Sequence, residues 1–478
     1  MNSTKGCLLS KALVWLRRDL RLYDHHALSA ALKDHDEVYL CFVFDKLILD
    51  KLPKEDKRLT FIHQGLEEIS QDLSKHQSDI HILHGDPTEE VPKLFKKLKC
   101  DALYLNRDYE PYAQKRDESV HKEIKKLGGS CKIFKDIVFY EKGEILNKQG
   151  EVYKVFTPYK KAWLEKFNDT YGGVVPQFKV NLKNLAKVTD LKKSIKDHDW
   201  HKTLGFKEDP ALLTGGVKEA KKHLKEFKKV IDDYEKARDF PAMKGTSHLS
   251  PYIRFGMISI RELLKVGIEG GHKVWTSELI WREFYQMILS QFPHVEKKSY
   301  RPEYDNIKWR GKKKEFEAWK EGMTGFPLID ASMRCFKETG MMHNRLRMVV
   351  ASFLCKTLLV DWKKGEEYFA QKLLDFDLAA NNGGWQWCSS SGTDAQPYFR
   401  IFNPTTQSEK FDPDAEFIKE WCPELKGFSK KKIHAPWNAD MIEQSEASCT
   451  IGEDYPCPVV DYKEKRHEAL EMYKEGLK

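Results

Sequence analysis

The spacing of apolar residues changes period once along this chain, and that change constrains the fold more than any other feature. Up to about residue 135, short apolar runs alternate with amphipathic stretches. ALVWL (12–16), VYLCFVF (38–44), IHIL (80–83), ALYL (102–105) and CKIF (131–134) read as buried strands, while 61–73, 91–98 and 113–126 carry helical spacing. Strands alternating with helices imply a parallel sheet covered on both faces. Ligands of such sheets dock beyond the carboxyl ends of the strands, which puts Asp45, Gly85 and residues 106–110 on the binding rim. After TGG (214–216) the period becomes helical: Val217, Ala220, Leu224, Phe227, Ile231 and Tyr234 fall at spacings of 3, 4, 3, 4 and 3. Helical spacing then runs to about residue 430 without a convincing strand. The expected fold is an α/β N-terminal domain with a doubly wound parallel sheet (1–135), a long linker rich in lysine and Pro/Gly breaks (136–212), and an all-α C-terminal domain (213–478).

At 478 residues the chain exceeds what one compact core holds, which supports the two-domain division. Lys+Arg number 81 against Asp+Glu 73, a net +8 that fits either a polyanionic partner or a lysine-rich surface. Ten cysteines include no C-x-x-C and no companion H-x-x-x-H, so no metal site is expected, and their scatter suggests a reducing compartment. Residues 1–10 carry no signal-peptide core, and the longest apolar run, 348–360, is short and interrupted by Lys356. A cytoplasmic protein without membrane spans is expected. Neither G-x-G-x-x-G nor G-x-x-x-x-G-K-[ST] occurs.

Four stretches carry chemistry. DFDLAANNGGWQW (375–387) joins two carboxylates, two amides, adjacent glycines and two indoles, a composition suited to a pocket for a planar, polar, aromatic ligand. GTSHLSPY (245–252) reads first as a Ser N-cap with Pro opening a helix, and otherwise as a phosphate-binding turn. In ELIWREFY (278–285), Glu278, Trp281, Arg282 and Tyr285 share one helix face. They make either a polar cavity wall or a half-buried face with an ion pair. HNRLRM (343–348) puts Asn344, Arg347 and Met348 together and turns Arg345 aside. Arg347 can pair with Asp375 or Asp377, and Arg345 can take a nucleic-acid phosphate. Arg238 and Arg400 are further phosphate candidates, though any of these arginines can equally be an ordinary surface residue. Trp309, Trp362 and Trp385 read alone as packing residues.

Taken together, WLRRDLRL (15–22), GTSHLSPY, ELIWREFY, MHNRLRM (342–348), DFDLAANNGGWQW and DYP (454–456) resemble the photolyase/cryptochrome family over nearly the whole chain, and within it the class I cyclobutane-pyrimidine-dimer DNA photolyases. The resemblance implies one non-covalent FAD in the helical domain, active in its reduced form. Tyr234, Thr246, Ser247, Leu249 and Ser250 would hold its phosphates and nearby groups. Trp275, Glu278, Arg282, Asn344, Arg347, Asp375, Asp377 and Asn381 would surround the rest, with Asn381 at the flavin N5 favouring the reduced states. It implies catalysis by light-driven electron transfer to a flipped-out dimer, with Glu278, Asn381, Trp281, Met348 and Trp387 around the reacting groups. Arg238, Glu278, Tyr285, Asn344, Arg345 and Arg400 would contact damaged DNA, and Trp385, Trp362 and Trp309 would pass electrons from the surface to the flavin.

A second, antenna chromophore is implied for the α/β domain, either methenyltetrahydrofolate or a deazaflavin. Folate-binding members often carry Cys-Lys in the loop where this chain has Glu296-Lys297, and Asn106 and Glu110 are candidate contacts. Met348 and Asn381 point to dimer repair rather than to (6-4) photolyases or plant cryptochromes. The alternative is a cryptochrome-type blue-light photoreceptor that binds FAD without repair. A monomer is expected.

Overall fold

The computed structural model describes residues 9–188, 200–209 and 212–478. The remainder of the expected linker (189–199 and 210–211) and residues 1–8, searched above for a signal sequence, lie outside the described residues. By packing, the chain divides into two compact units built of discontinuous stretches: Met1–Val152, Lys160–Glu226 and His248–Ser290 form the first, and Tyr153–Tyr159, Phe227–Ser247 and Gln291–Lys478 the second.

The first unit holds the sheet that the alternation predicts. Strands β1 (Lys11–Leu16), β2 (Glu37–Asp45), β3 (Ile80–Gly85), β4 (Ala102–Asn106) and β5 (Ser130–Phe134) lie in the order β3-β2-β1-β4-β5, all parallel. β1 and β4 are wholly apolar along their interiors because helices cover both faces of a parallel sheet. The helices are α1 (His26–Asp34), α2 (Lys57–Ser74), α3 (Pro87–Leu98) and α4 (Pro111–Lys126). Their starts are written locally. Asp56 accepts from the Arg58 amide (2.9 Å) to open α2, and Asp86 accepts from the Thr88 amide (2.8 Å) to open α3, with Pro87 in its first turn. The strand order reverses beside β1, so the carboxyl ends of β1 and β4 form the switch point where Arg17, Arg18, Asp19, Asn106, Arg107 and Asp108 gather around a small cavity. Within the expected linker the chain forms a 16-residue helix, α5 (Phe156–Tyr171). The first unit contains α5 from Lys160 onward and α6 (Lys273–Gln291) up to Ser290.

The second unit is helical. Its principal helices are α7 (Lys313–Glu321), α8 (Pro327–Thr339), α9 (Asn344–Lys356), α10 (Trp362–Lys372), α11 (Leu378–Ser389) and α12 (Tyr462–Gly476). α7 and α8 both stop at glycines in the left-handed region, Gly322 (φ 67°) and Gly340 (φ 70°), where a side chain would be strained. Asp361 accepts from the Lys363 amide (3.0 Å) and opens α10. The core of this unit runs through α7–α11 and includes Trp319, Phe336, Leu354, Phe369 and Trp385. No described helix in either unit is long and apolar enough to cross a membrane.

Candidate functional site

In the second unit, residues 375–387 form the turn into α11 and most of that helix. The two carboxylates of D-x-D do different work. Asp375 is 7% exposed, and its Oδ2 accepts from the Arg347 guanidinium at 2.8 Å. Its Oδ1 is buried and has no hydrogen-bond partner among the described residues. A buried anionic oxygen held by arginine on one side only is an acceptor waiting for an N–H donor. Arg347 also donates to the Met342 carbonyl (2.8 Å), which fixes its fork and aims it. Asp377, in contrast, is the N-cap of α11. It accepts from the amides of Ala379 (3.1 Å) and Ala380 (3.3 Å), a structural duty that sequence reading did not assign to it.

One turn on, Asn381 is half-buried and its Nδ2 donates to the Glu366 carbonyl on α10 (3.1 Å). Burial pushes the Glu366 carboxyl up to about 7 against the stabilising bond from Asn381, and its Oε1 has no partner among the described residues. Sequence reading passed over Glu366, since one acid among the charges of a surface helix carries no signal. Trp387 and Met348 are both partly buried and pack against the same core cluster, with the Cys388 thiol 3.7 Å from the Met348 carbonyl. Asn344 opens α9 and is exposed.

Trp385 is 2% exposed. It fits because α10 has Gly365 there: a Cβ at that position would overlap the indole and the Leu354 side chain. Trp385 meets Trp319 edge-on (6.2 Å between ring centroids) and Phe369 (5.1 Å). Trp362 is buried at the start of α10, and Trp309 is half-buried, edge-on to Tyr473 at 6.0 Å.

The loop carrying Thr246 and Ser247 is drawn against the short helix Tyr234–Ala237, because a side chain at Gly245 would collide with Ala237. Thr246 and Ser247 are half-buried, and the Arg238 guanidinium lies 5.5 Å from the Tyr234 ring centre. Arg345 is committed internally: it pairs with Asp239 (2.9 Å) and lies over the Phe411 ring (4.4 Å). Arg400 is exposed and lends its carbonyl to Lys356 (3.1 Å).

In the first unit, α6 carries the face of Glu278, Trp281, Arg282 and Tyr285 half-buried. Along residues 274–289, Val274, Ser277, Glu278, Trp281, Arg282 and Tyr285 are half-exposed, while Trp275, Leu279, Ile280, Glu283 and Phe284 are buried. The partly open residues follow the 3.6-residue period, so one face of an otherwise enclosed helix is polar, aromatic and accessible. Trp281 and Tyr285 lie 5.6 Å apart with their rings inclined by 32°. Arg282 donates to the Ile137 carbonyl (2.7 Å), which pins its position.

The opposite face is anchored by Glu283, to which no role was given from sequence. Its Oε1 accepts from the Trp163 indole of α5 (2.6 Å) and its Oε2 from the Phe139 amide (2.6 Å). Full burial pushes this carboxyl up to about 7, against those two bonds. Leu249 is buried and precedes Ser250, which opens a five-residue helix (Ser250–Arg254) with Pro251 in its first turn. No side chain caps that helix, so the simple Ser N-cap reading does not hold: Ser250 is already inside the first turn.

At the switch point of the sheet, the two candidate antenna contacts serve internal networks. The Asn106 amide donates to Asp19 (2.8 Å) and accepts from the Ala27 amide (3.1 Å). Glu110 accepts from Arg18 (2.9 Å) and Arg254 (2.7 Å). Burial would raise the neighbouring Asp108 carboxyl, but Arg18, Arg254, Arg17 and Arg116 outweigh it and hold Asp108 well below the ordinary carboxylate value.

A family model described as DNA photolyase matches residues 12–179, and one described as the FAD binding domain of DNA photolyase matches residues 275–475. The deoxyribodipyrimidine photo-lyase of Vibrio cholerae is 37% identical over 97% of this chain and 99% of its own. A bacterial class III photolyase from Agrobacterium tumefaciens superposes with a TM-score of 0.89 at 33% identity, over 99% of both chains. A cryptochrome from Synechocystis superposes at 0.87 and 26% identity, over 97% of this chain and 99% of that one.

Proposed function

The chain belongs to the DNA photolyase family, and from that premise we propose that it repairs cyclobutane pyrimidine dimers in DNA under blue light, as a class I enzyme. The observation that carries the reading is the accessible row of Glu278, Trp281, Arg282 and Tyr285 on α6, whose other faces are buried. A carboxylate, a guanidinium and two flat rings on one open face suit flipped-out bases better than they suit water. The free, buried Oδ1 of Asp375 beside Arg347 fits a flavin, whose ring system offers an N–H donor and carbonyl acceptors. Bound in its reduced form, FAD would supply reversible one-electron chemistry driven by blue light.

The residues then divide the work. Arg347 and Asp375 hold the flavin ring system, with Arg282, Asn344, Asp377 and Trp275 around it. Asn381, steadied by the Glu366 carbonyl, presents its remaining amide oxygen to the flavin. Tyr234, Thr246, Ser247, Leu249 and Ser250 take the phosphates and adjoining groups. Trp281 and Trp387 stack on the flipped bases, at about 1–3 kcal/mol per base, while Glu278 hydrogen-bonds the pyrimidine edge and Met348 closes the pocket. Arg238 and Arg400 clamp flanking phosphates, so affinity falls with salt. Arg345 joins them only by exchanging Asp239 for a phosphate. Trp385, Trp362 and Trp309 form the electron route.

Residues 1–135 carry a folate or deazaflavin antenna, 136–212 link, and 213–478 bind FAD and DNA. The protein works as a cytoplasmic monomer. The test is light-dependent repair of a thymine dimer in an oligonucleotide. Flavin binding without repair is the behaviour of a photoreceptor, the activity suggested by the similarity to the Synechocystis cryptochrome.

A further inference from the structure

Helix α9 ends on Lys356, a lysine with no access to solvent. Its ammonium donates to the Ser390 hydroxyl at 2.9 Å and to the Arg400 carbonyl at 3.1 Å, and lies 6.0 Å from the centre of the Tyr473 ring on α12. Among the described residues no carboxylate pairs with it. A buried cation without a counter-ion is costly, and a methionine or leucine would fill the same space without that cost. What the lysine alone supplies is a charged donor for two acceptors, one of them the backbone of a residue read above as a phosphate contact. We propose that Lys356 is a positioning residue for DNA binding: it holds the turn that carries Arg400 so that the guanidinium meets a phosphate flanking the lesion. The proposal rests on the reading of Arg400 as a phosphate clamp.

The turn is fastened on its inner side and open on its outer side. The Arg400 amide donates to the Pro397 carbonyl at 3.0 Å, so both backbone groups of this residue are engaged. Tyr398 stacks on Tyr473, with ring centres 5.7 Å apart and planes inclined by 14°, and Ile401 packs against the same cluster as Tyr398. Phe399 and Arg400, between them, are exposed. The start of the segment is tied as well: Tyr473 donates to the Ser389 carbonyl at 2.9 Å, and Gln396 to the Cys388 carbonyl at 3.2 Å. An arginine on a fixed backbone loses less freedom on gripping a phosphate than one on a free loop, which is how a group that never touches DNA adds to affinity.

Burial brings the Lys356 ammonium down to about 8, with Cys388 and Cys355 pulling the other way. The titratable groups facing it are Cys355 on its own helix, Cys388 on α11 and Tyr473 on α12, all pushed up by burial. The Asp361 carboxylate at the start of α10 acts on Cys355 and Tyr473. Between pH 7 and pH 9 the two thiols and the phenol keep their protons, while the lysine passes from cation to neutral amine. Its bonds to Ser390 and Arg400 then lose their charge assistance.

The experiment measures binding of a duplex oligonucleotide containing one thymine dimer to the FAD-loaded protein in the dark, over a range of salt. Arg400→Ala should weaken binding about tenfold and make the slope of log affinity against log salt shallower by about 0.9, the share of one phosphate. Lys356→Met should reproduce both effects, and Lys356→Met/Arg400→Ala should bind no more weakly than Arg400→Ala alone. A lysine that only stabilises the fold would lower the melting temperature and leave the salt slope of Lys356→Met unchanged, and that result overturns the positioning role while the phosphate reading of Arg400 stands. Should Lys356→Met fail to fold, the unsubstituted protein carries the test: its affinity and slope should fall between pH 7 and pH 9, while those of Arg400→Ala stay level. A parallel pH response in the two proteins overturns the positioning role. An Arg400→Ala protein that binds as tightly as the unsubstituted one overturns the phosphate reading and, with it, this proposal.

Discussion

Arg347 grips one oxygen of Asp375 at 2.8 Å and leaves the other buried and unpartnered among the described residues. An ion pair built only to stabilise the fold would satisfy both oxygens, because a buried unpaired acceptor costs about 1–3 kcal/mol. That unpartnered, buried oxygen is what a ligand N–H would complete.

Asp375→Asn keeps the shape and removes the charge. It leaves Arg347 without a counter-ion and weakens a charge-assisted bond worth about 1.5–3 kcal/mol, so FAD affinity should fall about 10–100-fold. Flavin titration of the stripped protein checks this. An unchanged affinity would detach Asp375 from the flavin.

Gly365→Ala should disturb Trp385 specifically, since the new methyl group overlaps the indole. Overpacking of this kind costs about 1–3 kcal/mol and forces neighbouring side chains from their rotamers. Thermal unfolding should shift down by several degrees and photoreduction should slow. A variant with unchanged melting and photoreduction would contradict the close packing of α10 on Trp385.

Glu366 makes stability depend on pH. Its carboxyl lies at about 7 in the folded protein, above its ordinary value of 4.5, so between these the native state holds a proton that the unfolded chain has lost. Stability from this group is full below about 4.5 and falls as pH rises to about 7. Glu366→Gln removes the dependence. Relative to that variant, the unsubstituted protein should lose about 2–3 kcal/mol between pH 5 and pH 8, read by urea unfolding at the two values. Parallel profiles would show that the carboxyl titrates normally.

Glu278→Ala should leave the flavin bound and cut the yield of repair, because the lost group touches the pyrimidine edge rather than the cofactor's phosphates. Repair yield per absorbed photon and flavin absorbance, measured on one preparation, separate the two effects. Undiminished yield would remove the role given to Glu278.

Much of this was legible in the chain because it is local. The alternation of periods announced a parallel sheet followed by helices, whereas the strand order β3-β2-β1-β4-β5 is a tertiary fact that the alternation does not carry. The face shared by Glu278, Trp281, Arg282 and Tyr285 is a matter of helical spacing alone, and the sequence offered Arg347 either Asp375 or Asp377, of which the structure pairs it with Asp375. What escaped is tertiary. Arg345 meets Asp239 across 106 positions, and Glu283 meets Trp163 across 120, distances at which periodicity carries no information. Asp377 turned out to cap α11, a duty that its place before an apolar helix could have signalled. Trp319 was invisible as anything but core, because only packing reveals that it touches Trp385. Helix α5 lay hidden in a lysine-rich stretch whose amphipathic pattern is weak.

The central claim is dimer repair, and the most direct measurement is the fate of a cyclobutane thymine dimer in a short oligonucleotide mixed with fully reduced, FAD-loaded protein under blue light. The expected result is restoration of the two thymines in the light and none in the dark, with a (6-4) photoproduct left untouched. Intact dimers after illumination of reduced protein would contradict the claim.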